Sequence, residues 1–301
     1  MKLDAHCHTD CSDGAVSIEE RISMIRGLGF NAATITDHDF ISEEQVERAQ
    51  AAAGHMPFIP GIELTLAHHG KAVHILGFYV DPGDFSLQQH ITRVQNLDQA
   101  YTTMLLEIFR PQGITFGLED LITPSLHTCY SLHLIKRLSH DLFSNHKERT
   151  LFAFFEALDR LEIRFSDFAP WPVYDAIRMI HNAGGYSVLA HPGGAEDTVM
   201  RKLGFLLHTE SHIRQYVEWG LDGIEVFCPV HSTEETRYYS ELAKKYNLLI
   251  TAGSDCHGDD PLFGPSRMGT FSDIPENLYE NMFSCHRLHN YYTKKVPAFQ
   301  D

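Results

Sequence analysis

No run of apolar residues in this sequence approaches the ~18 needed to cross a bilayer, which excludes a spanning helix. The opening stretch Met-Lys-Leu-Asp-Ala-His lacks the apolar core of a secretory signal, so a cytoplasmic protein is expected. Basic residues are scarce: 24 Lys and Arg stand against 40 Asp and Glu, a formal charge of −16. A field of that sign repels polyanions, which disfavours long nucleic acids, and neither a span nor an anchor points to a membrane. A local cationic or metal-lined pocket could still hold a small anion. The six cysteines, at 7, 11, 129, 228, 256 and 285, form no Cys-x-x-Cys pair, which argues against a zinc ribbon. In a reducing compartment they are expected to be free thiols. Repeats, low-complexity stretches and long charge blocks are also absent. What is abundant is histidine, with 20 in 301 residues, in a chain whose 43% hydrophobic content is ample for a core.

Short apolar runs alternate with helical patterns over much of the chain. Strands are expected at Lys2–Cys7, Asn31–Thr36, Phe58–Leu64, Ala72–Tyr79, Tyr186–Ala190, Gly223–Phe227 and Leu248–Ala252. Most are continuous apolar runs, as in strands buried on both faces. Ser17-Ile-Glu-Glu20 reads as a capping box before Ile22, Ile25 and Leu28, and Ser42-Glu-Glu-Gln45 reads the same way. A helix from Pro172 to Ala183 is bounded by Pro at its start and Gly184-Gly185 past its end. Such alternation predicts an α/β fold with a parallel sheet, barrel-like in closure. Between Asp81 and Pro170 the alternation stops. Phe85 to Phe109 reads as one long helix, followed by the aromatic-rich Leu151-Phe-Ala-Phe-Phe155. A barrel built from 1–81 and 171–301, with a mostly helical insertion at 82–170 packed over one end, is the expected organisation.

The expected strands carry metal-ligand residue types at or near their ends. Asp4-Ala-His6-Cys-His8 puts His6 and His8 on one strand face, able to point at one ion. Asp13 follows in Ser12-Asp13-Gly14, where an Asx turn is the plain alternative. Thr36-Asp37-His38-Asp39 sets three polar groups directly after an apolar strand, costly to bury without partners. Pro60-Gly61-Ile62-Glu63 ends the third strand, and His74 interrupts an apolar fourth. Later come Ala190-His191-Pro192 and Gly253-Ser-Asp255-Cys-His257. Each alone could be a core or loop residue. Together they fit a metal site at the carboxyl ends of barrel strands. Cys7 and Cys256, each between two such residues, fall on the opposite face and are expected to pack.

In that order, these motifs resemble the PHP (polymerase and histidinol phosphatase) family of metal-dependent phosphoesterases. The likeness covers roughly residues 1–80 and 170–270. It implies a distorted (β/α)7 barrel of PHP type with a centre of two or three divalent metals. By resemblance His6, His8, Glu63 and Asp255 would bind one metal. Glu63 would bridge to a second held by His74 and His191, and Asp13, His38 and His257 would hold a third. Glu63, Asp255 and His257 are the expected catalytic residues. No ligand position is missing, so a degenerate, metal-free module of the kind attached to some polymerases is not expected.

A ligand set of imidazoles and carboxylates without thiolates suits Mn²⁺, Fe²⁺ or Zn²⁺. Such ions can clamp a phosphoryl group and activate water for in-line attack on phosphorus, so no protein nucleophile is required. Asp4 and Asp37, beside ligand histidines, could orient imidazoles. Related chains often carry Thr-Arg-x-His-x-Ala-Arg in the insertion. Here Ser131-Leu-His133-Leu-Ile-Lys136-Arg137 keeps His133 but sets Ser131 and Lys136 where arginines would be. His133, Lys136 and Arg267 are the candidate substrate contacts. The remaining histidines, including His68-His69, are expected in surface or polar networks. The expected activity is hydrolysis of a small phosphorylated metabolite, a nucleotide or sugar phosphate monoester. Alternatives are a cyclic ribose or nucleotide phosphate, a short RNA degraded from its 5′ end, or a metal or nucleotide sensor without turnover.

Overall fold

Six strands form one curled sheet in chain order: β1 (Ala33–Ile35), β2 (Phe58–His68), β3 (Lys71–Phe78), β4 (Tyr186–Leu189), β5 (Gly223–Phe227) and β6 (Leu249–Ala252). The computed structural model describes residues 3–141, 171–193, 204–260 and 266–270, with Ala153, Glu156, Arg160 and Glu162 between them. The strand expected at Lys2–Cys7 is no ladder, because only Cys7 makes a bridge, to Cys256. Its backbone nevertheless lies between the two ends of the sheet. Ala5 N–H donates to Ala252 O at 3.0 Å and His8 N–H to Cys256 O at 3.0 Å, while Thr36 N–H donates to Cys7 O at 2.9 Å.

The sheet is mixed, where strand–helix alternation predicts a parallel one. β1–β2, β4–β5 and β5–β6 are parallel, but β3 runs antiparallel to both its neighbours. The reason is local. β2 and β3 are joined by two residues, His69 (φ 51°) and Gly70 (φ 74°), both left-handed as a tight hairpin turn requires. No helix fits in that connection. β2 also runs on to His68, so Glu63 lies within the hairpin and not at a strand end.

Seven helices among the described residues concern the site. α1 (Ile18–Gly27) has the expected capping box and buries Ile18, Ile22 and Ile25. α2 (Glu43–Ala53) is capped by Ser42, but the Gln45 amide turns away to Asp37 Oδ2 at 2.6 Å, so the second box is only half formed. α3 spans Phe85–Phe109, α4 Tyr130–Asp141 and α5 Val173–Asn182. α6 spans Glu210–Glu218, and α7 (Thr233–Lys245) packs on β5 and β6. The main core gathers Ile22, Ile62, Leu64, Ile75, Ile177 and Ile224 beneath the sheet and its helices. A second cluster, with Leu105, Phe109, Leu134 and Leu138, belongs to α3 and α4. α3 also ties α4 down, since Asp98 accepts the N–H of Tyr130 at 2.6 Å. The expected helical segment Leu151–Phe155 lies outside the described residues except for Ala153, and the stretch from Ser284 lies outside them altogether.

Candidate metal centre

The segment before α1 brings His6, His8 and Asp13 to one end of the sheet, all fully buried. β1 delivers His38 beside Glu63, with Asp39 N–H donating to Glu63 O at 2.7 Å. β3 brings His74 across the hairpin. His191 follows β4, and Asp255 and His257 follow β6. His191 (φ 27°) and Asp255 (φ 50°) are left-handed non-glycine residues, a conformation that persists only where surrounding contacts enforce it.

Glu63 is the hub. Its Oε2 lies 3.0 Å from His6 Nε2, 3.3 Å from His8 Nε2 and 3.2 Å from His38 Nδ1. Its Oε1 lies 2.9 Å from His74 Nδ1 and 3.1 Å from His191 Nε2. Asp255 Oδ1 sits 3.1 Å from His8 Nε2 and 3.4 Å from His6 Nε2. Asp13 Oδ2 sits 3.1 Å from His257 Nε2 and 3.8 Å from His38 Nε2. Three overlapping groups have donor atoms mutually within 4.8 Å: His6, His8, Glu63 and Asp255; His38, Glu63 and His74; and His8, Asp13, His38 and His257. All nine ligand residues expected from the sequence therefore meet in one place. The grouping differs in one respect, because His38 shares the Glu63–His74 group while His191 joins through Glu63 alone.

The donor set fits cations. His38 Nδ1 and His74 Nδ1 are close to Glu63 yet make no hydrogen bond, and His8 Nδ1 and Asp13 Oδ2 are likewise buried without one. Groups that converge at short range in the wrong geometry for hydrogen bonding suit a shared ion. Charge points the same way. Burial raises the Glu63, Asp13 and Asp255 carboxyls, but the surrounding imidazoles hold all three well below the usual carboxylate range. Burial depresses His6, yet Glu63, Glu225 and Asp255 carry it well above its ordinary value. His8, likewise depressed by burial, is pushed up to about 10 by Asp255 and Glu63. Burial leaves His38 down at about 3, its carboxylate neighbours only partly offsetting. The site thus holds ionised carboxylates that demand positive charge, and imidazoles able to give lone pairs to a divalent ion.

The three expected substrate contacts divide. His133 Nε2 meets Ser12 O at 2.8 Å, and Lys136 Nζ donates to Asp13 O at 2.5 Å and pairs with Asp260 Oδ2 at 2.8 Å. Both therefore hold α4 against the loop that carries Asp13. Arg267 lies in a turn in which Thr270 N–H donates to its carbonyl at 3.0 Å. Ser131 N–H faces Asp98 at 3.3 Å.

Asp4 and Asp37 orient backbone and hydroxyls instead of imidazoles. Asp4 accepts from Ser254 N–H at 2.8 Å and Ser254 Oγ at 2.5 Å. Asp37 accepts from Thr9 N–H at 2.7 Å and from Thr9 Oγ1 and Ser12 Oγ at 2.6 Å each. Nearness along the chain misleads here: Asp37 and His38 are neighbours yet serve different partners, and Asp4, two residues from His6, turns to Ser254. The carboxylate that does meet an imidazole is Glu225 of β5, 3.2 Å from His6 Nδ1 through either oxygen. A lone Glu inside the apolar run Gly-Ile-Glu-Val-Phe was its signal. Fully buried Arg21 of α1 was also missed; its Nε donates to His8 O at 2.9 Å. The described cysteines are free, and Cys7 and Cys256 pack as expected.

Comparison with known proteins agrees with this geometry. The chain is 28% identical over 262 residues to a phosphoribosyl 1,2-cyclic phosphate 1,2-diphosphodiesterase of Eggerthella lenta, covering 86% of this chain and 95% of that one. It is 26% identical over 284 residues to a 3′,5′-nucleoside bisphosphate phosphatase of Chromobacterium violaceum, covering 91% and 92%. A 5′-3′ exoribonuclease of Haemophilus influenzae is 26% identical over 268 residues, covering 85% and 90%. A solved Bifidobacterium adolescentis structure shares the fold with a TM-score of 0.75 at 23% identity, covering 94% of this chain and 96% of that one. Residues 4–110 match the PHP domain.

Proposed function

We propose that this chain is a divalent-metal-dependent phosphoesterase acting on a small phosphorylated metabolite, a nucleotide or sugar phosphate. The observation that carries this is the buried Glu63 carboxylate with five imidazoles on its two oxygens. Nothing in a structural core calls for that arrangement, and burying it without ions is costly. Two or three Mn²⁺, Fe²⁺ or Zn²⁺ ions bound there would supply Lewis acidity toward phosphoryl oxygens and a water of lowered pKa. Glu63 and Asp255 then act as anionic anchors, and His6, His8, His74 and His191 give lone pairs from fixed directions. Asp13, His38 and His257 form the third group. His257 borders both Asp13 and Asp255, at 3.1 and 3.8 Å, and so joins the third group to the first.

The same proposal completes the architecture. Residues 3–8 would serve as a seventh stave beside the six strands, and α3 and α4 would form a cap over the centre. α4 supports the cap assignment through His133 and Lys136 on the Asp13 loop. That engagement also favours a second substrate reading. With Lys136 held by Asp13 O and Asp260, fewer cations face a monoester dianion, as suits the single charge of a cyclic phosphodiester. The likeness to the Eggerthella lenta diphosphodiesterase supports it as well. Arg267 remains the candidate anion contact.

A ³¹P NMR time course with Mn²⁺-loaded protein tests the assignment. The panel is a nucleoside 3′,5′-bisphosphate, a sugar phosphate, a cyclic ribose phosphate and a short 5′-phosphorylated RNA. Inorganic phosphate from the acyclic monoesters supports the first reading, and turnover of the cyclic compound supports the second. Stepwise mononucleotide release would replace both with an exonuclease. No turnover of any of the four by metal-loaded protein would contradict a phosphoesterase of this class and favour a sensor.

A further inference from the structure

Glu63 and Asp255 face the Nε2 side of His6, and one more carboxylate faces its other side. Glu225 stands behind the ring, with both oxygens 3.2 Å from Nδ1, and it is completely buried. Its Oε2 also accepts the backbone N–H of His191 at 3.0 Å. One carboxylate thus grips the ring of one ligand and the backbone of another, 185 residues apart along the chain. The surroundings are built for it. The β5–β6 register shifts between Glu225 and Phe227, the kind of irregularity that re-aims a side chain. Across from it lies Gly253, where any Cβ would collide with Glu225 Oε1 and His6 Cβ. His191 is one of the left-handed residues, held in that conformation where Glu225 takes its N–H.

We infer that Glu225 is a positioning residue that sets the proton of His6 on Nδ1 and locks His191 in register, so that both imidazoles present Nε2 lone pairs to the Glu63 cluster. An imidazole carries one N–H when neutral, and a carboxylate can only accept. Contact with Glu225 therefore places that N–H on Nδ1 and leaves Nε2 free toward Glu63 and Asp255, 3.0 and 3.4 Å away. Glu225 lies outside the three donor groups and is not itself a ligand. This inference rests on the metal-centre reading above.

Glu225→Gln separates this role from simple packing, because it keeps the size but supplies an amide. Its oxygen can still accept from His191 N–H, which turns its NH₂ toward His6 Nδ1 and forces the His6 proton onto Nε2, against the cation. Mn²⁺ binding to the metal-free full chain, followed by calorimetric titration, should weaken by about ten- to a hundredfold in the variant, with the ion held by Asp13, His38 and His257 least affected. Long-range ¹H–¹⁵N spectra of the Zn²⁺-loaded protein should show His6 with its proton on Nδ1 and Nε2 on the metal in wild type, and loss of that Nδ1–H signature in the variant. Glu225→Asp, which keeps the acceptor, should retain the wild-type tautomer and recover part of the affinity. A purely structural Glu225 would instead lower the thermal midpoint of the metal-free variant and leave Mn²⁺ dissociation constants and tautomer unchanged; that result overturns the inference. If wild type itself binds no Mn²⁺, the metal-centre reading fails, and the inference fails with it.

Discussion

Two populations of buried histidine occupy this molecule, and their surroundings set them apart. At the rim of the sheet, His6 and His8 are driven toward the charged form by Glu63, Asp255 and Glu225 despite complete burial. Away from the rim, burial acts without a carboxylate to answer it. His208 is pushed down to about 3, its Nδ1 meeting only Pro192 O at 3.2 Å. His90, packed edge-on against Trp171 with ring centroids 4.7 Å apart, falls to about 4. Burial therefore does not make a histidine a ligand. A converging carboxylate does, because it both demands a cation and fixes the ring.

The largest break in this comparison comes from removing a rim carboxylate. Glu63→Gln or Asp255→Asn should lower phosphoester turnover by at least about a thousandfold at saturating Mn²⁺, roughly 4 kcal/mol of barrier. Near-wild-type rates in either variant would show that the cluster is not the reacting centre. Stripping the ions from wild type is the next test. Chelation should stop turnover and lower the thermal midpoint by several degrees. Added Mn²⁺ at about 100 times its dissociation constant should restore about 3 kcal/mol of stability. A midpoint indifferent to metal would place the ions elsewhere.

The second population makes an opposite prediction in pH. Unfolded His90 takes a proton near 6.5 and folded His90 only near 4, so the native state loses stability as pH falls through that window and is unaffected above it. His90→Phe removes this loss. The stability of the variant relative to wild type should rise by up to about 3 kcal/mol between pH 7 and pH 4, measured by urea unfolding. A gap independent of pH would mean that His90 binds a proton equally well folded and unfolded. The smallest effect is expected at Ser131. If it serves only to join α4 to Asp98, Ser131→Ala costs about 1 kcal/mol of stability and leaves KM unchanged. A change in KM without a change in stability would return it to the substrate pocket.

These contrasts also explain what the sequence could tell. The candidate ligands were legible because they fall into short patterns: His6 and His8 two apart on one face, Asp255 and His257 two apart after a strand. The α3 helix was legible because its periodicity runs unbroken from Phe85 to Phe109. The β2–β3 hairpin was not, since the tight turn His69-Gly70 sits inside what reads as two separate strands of a parallel sheet. Glu225 escaped for a related reason. Its partners, His6 and His191, are 219 and 34 residues away, and no local pattern joins them. Asp4 and Asp37 show the converse error, in which nearness along the chain stood in for orientation.

The most direct test of the central claim is metal content per chain after Mn²⁺ reconstitution and gel filtration, for wild type and Glu63→Gln side by side. A Glu63-centred cluster predicts two or three ions in wild type and no more than about one in the variant, since two of the three groups share Glu63 and only the Asp13 group is independent of it. Equal metal content in the two proteins, or none in wild type, would contradict it.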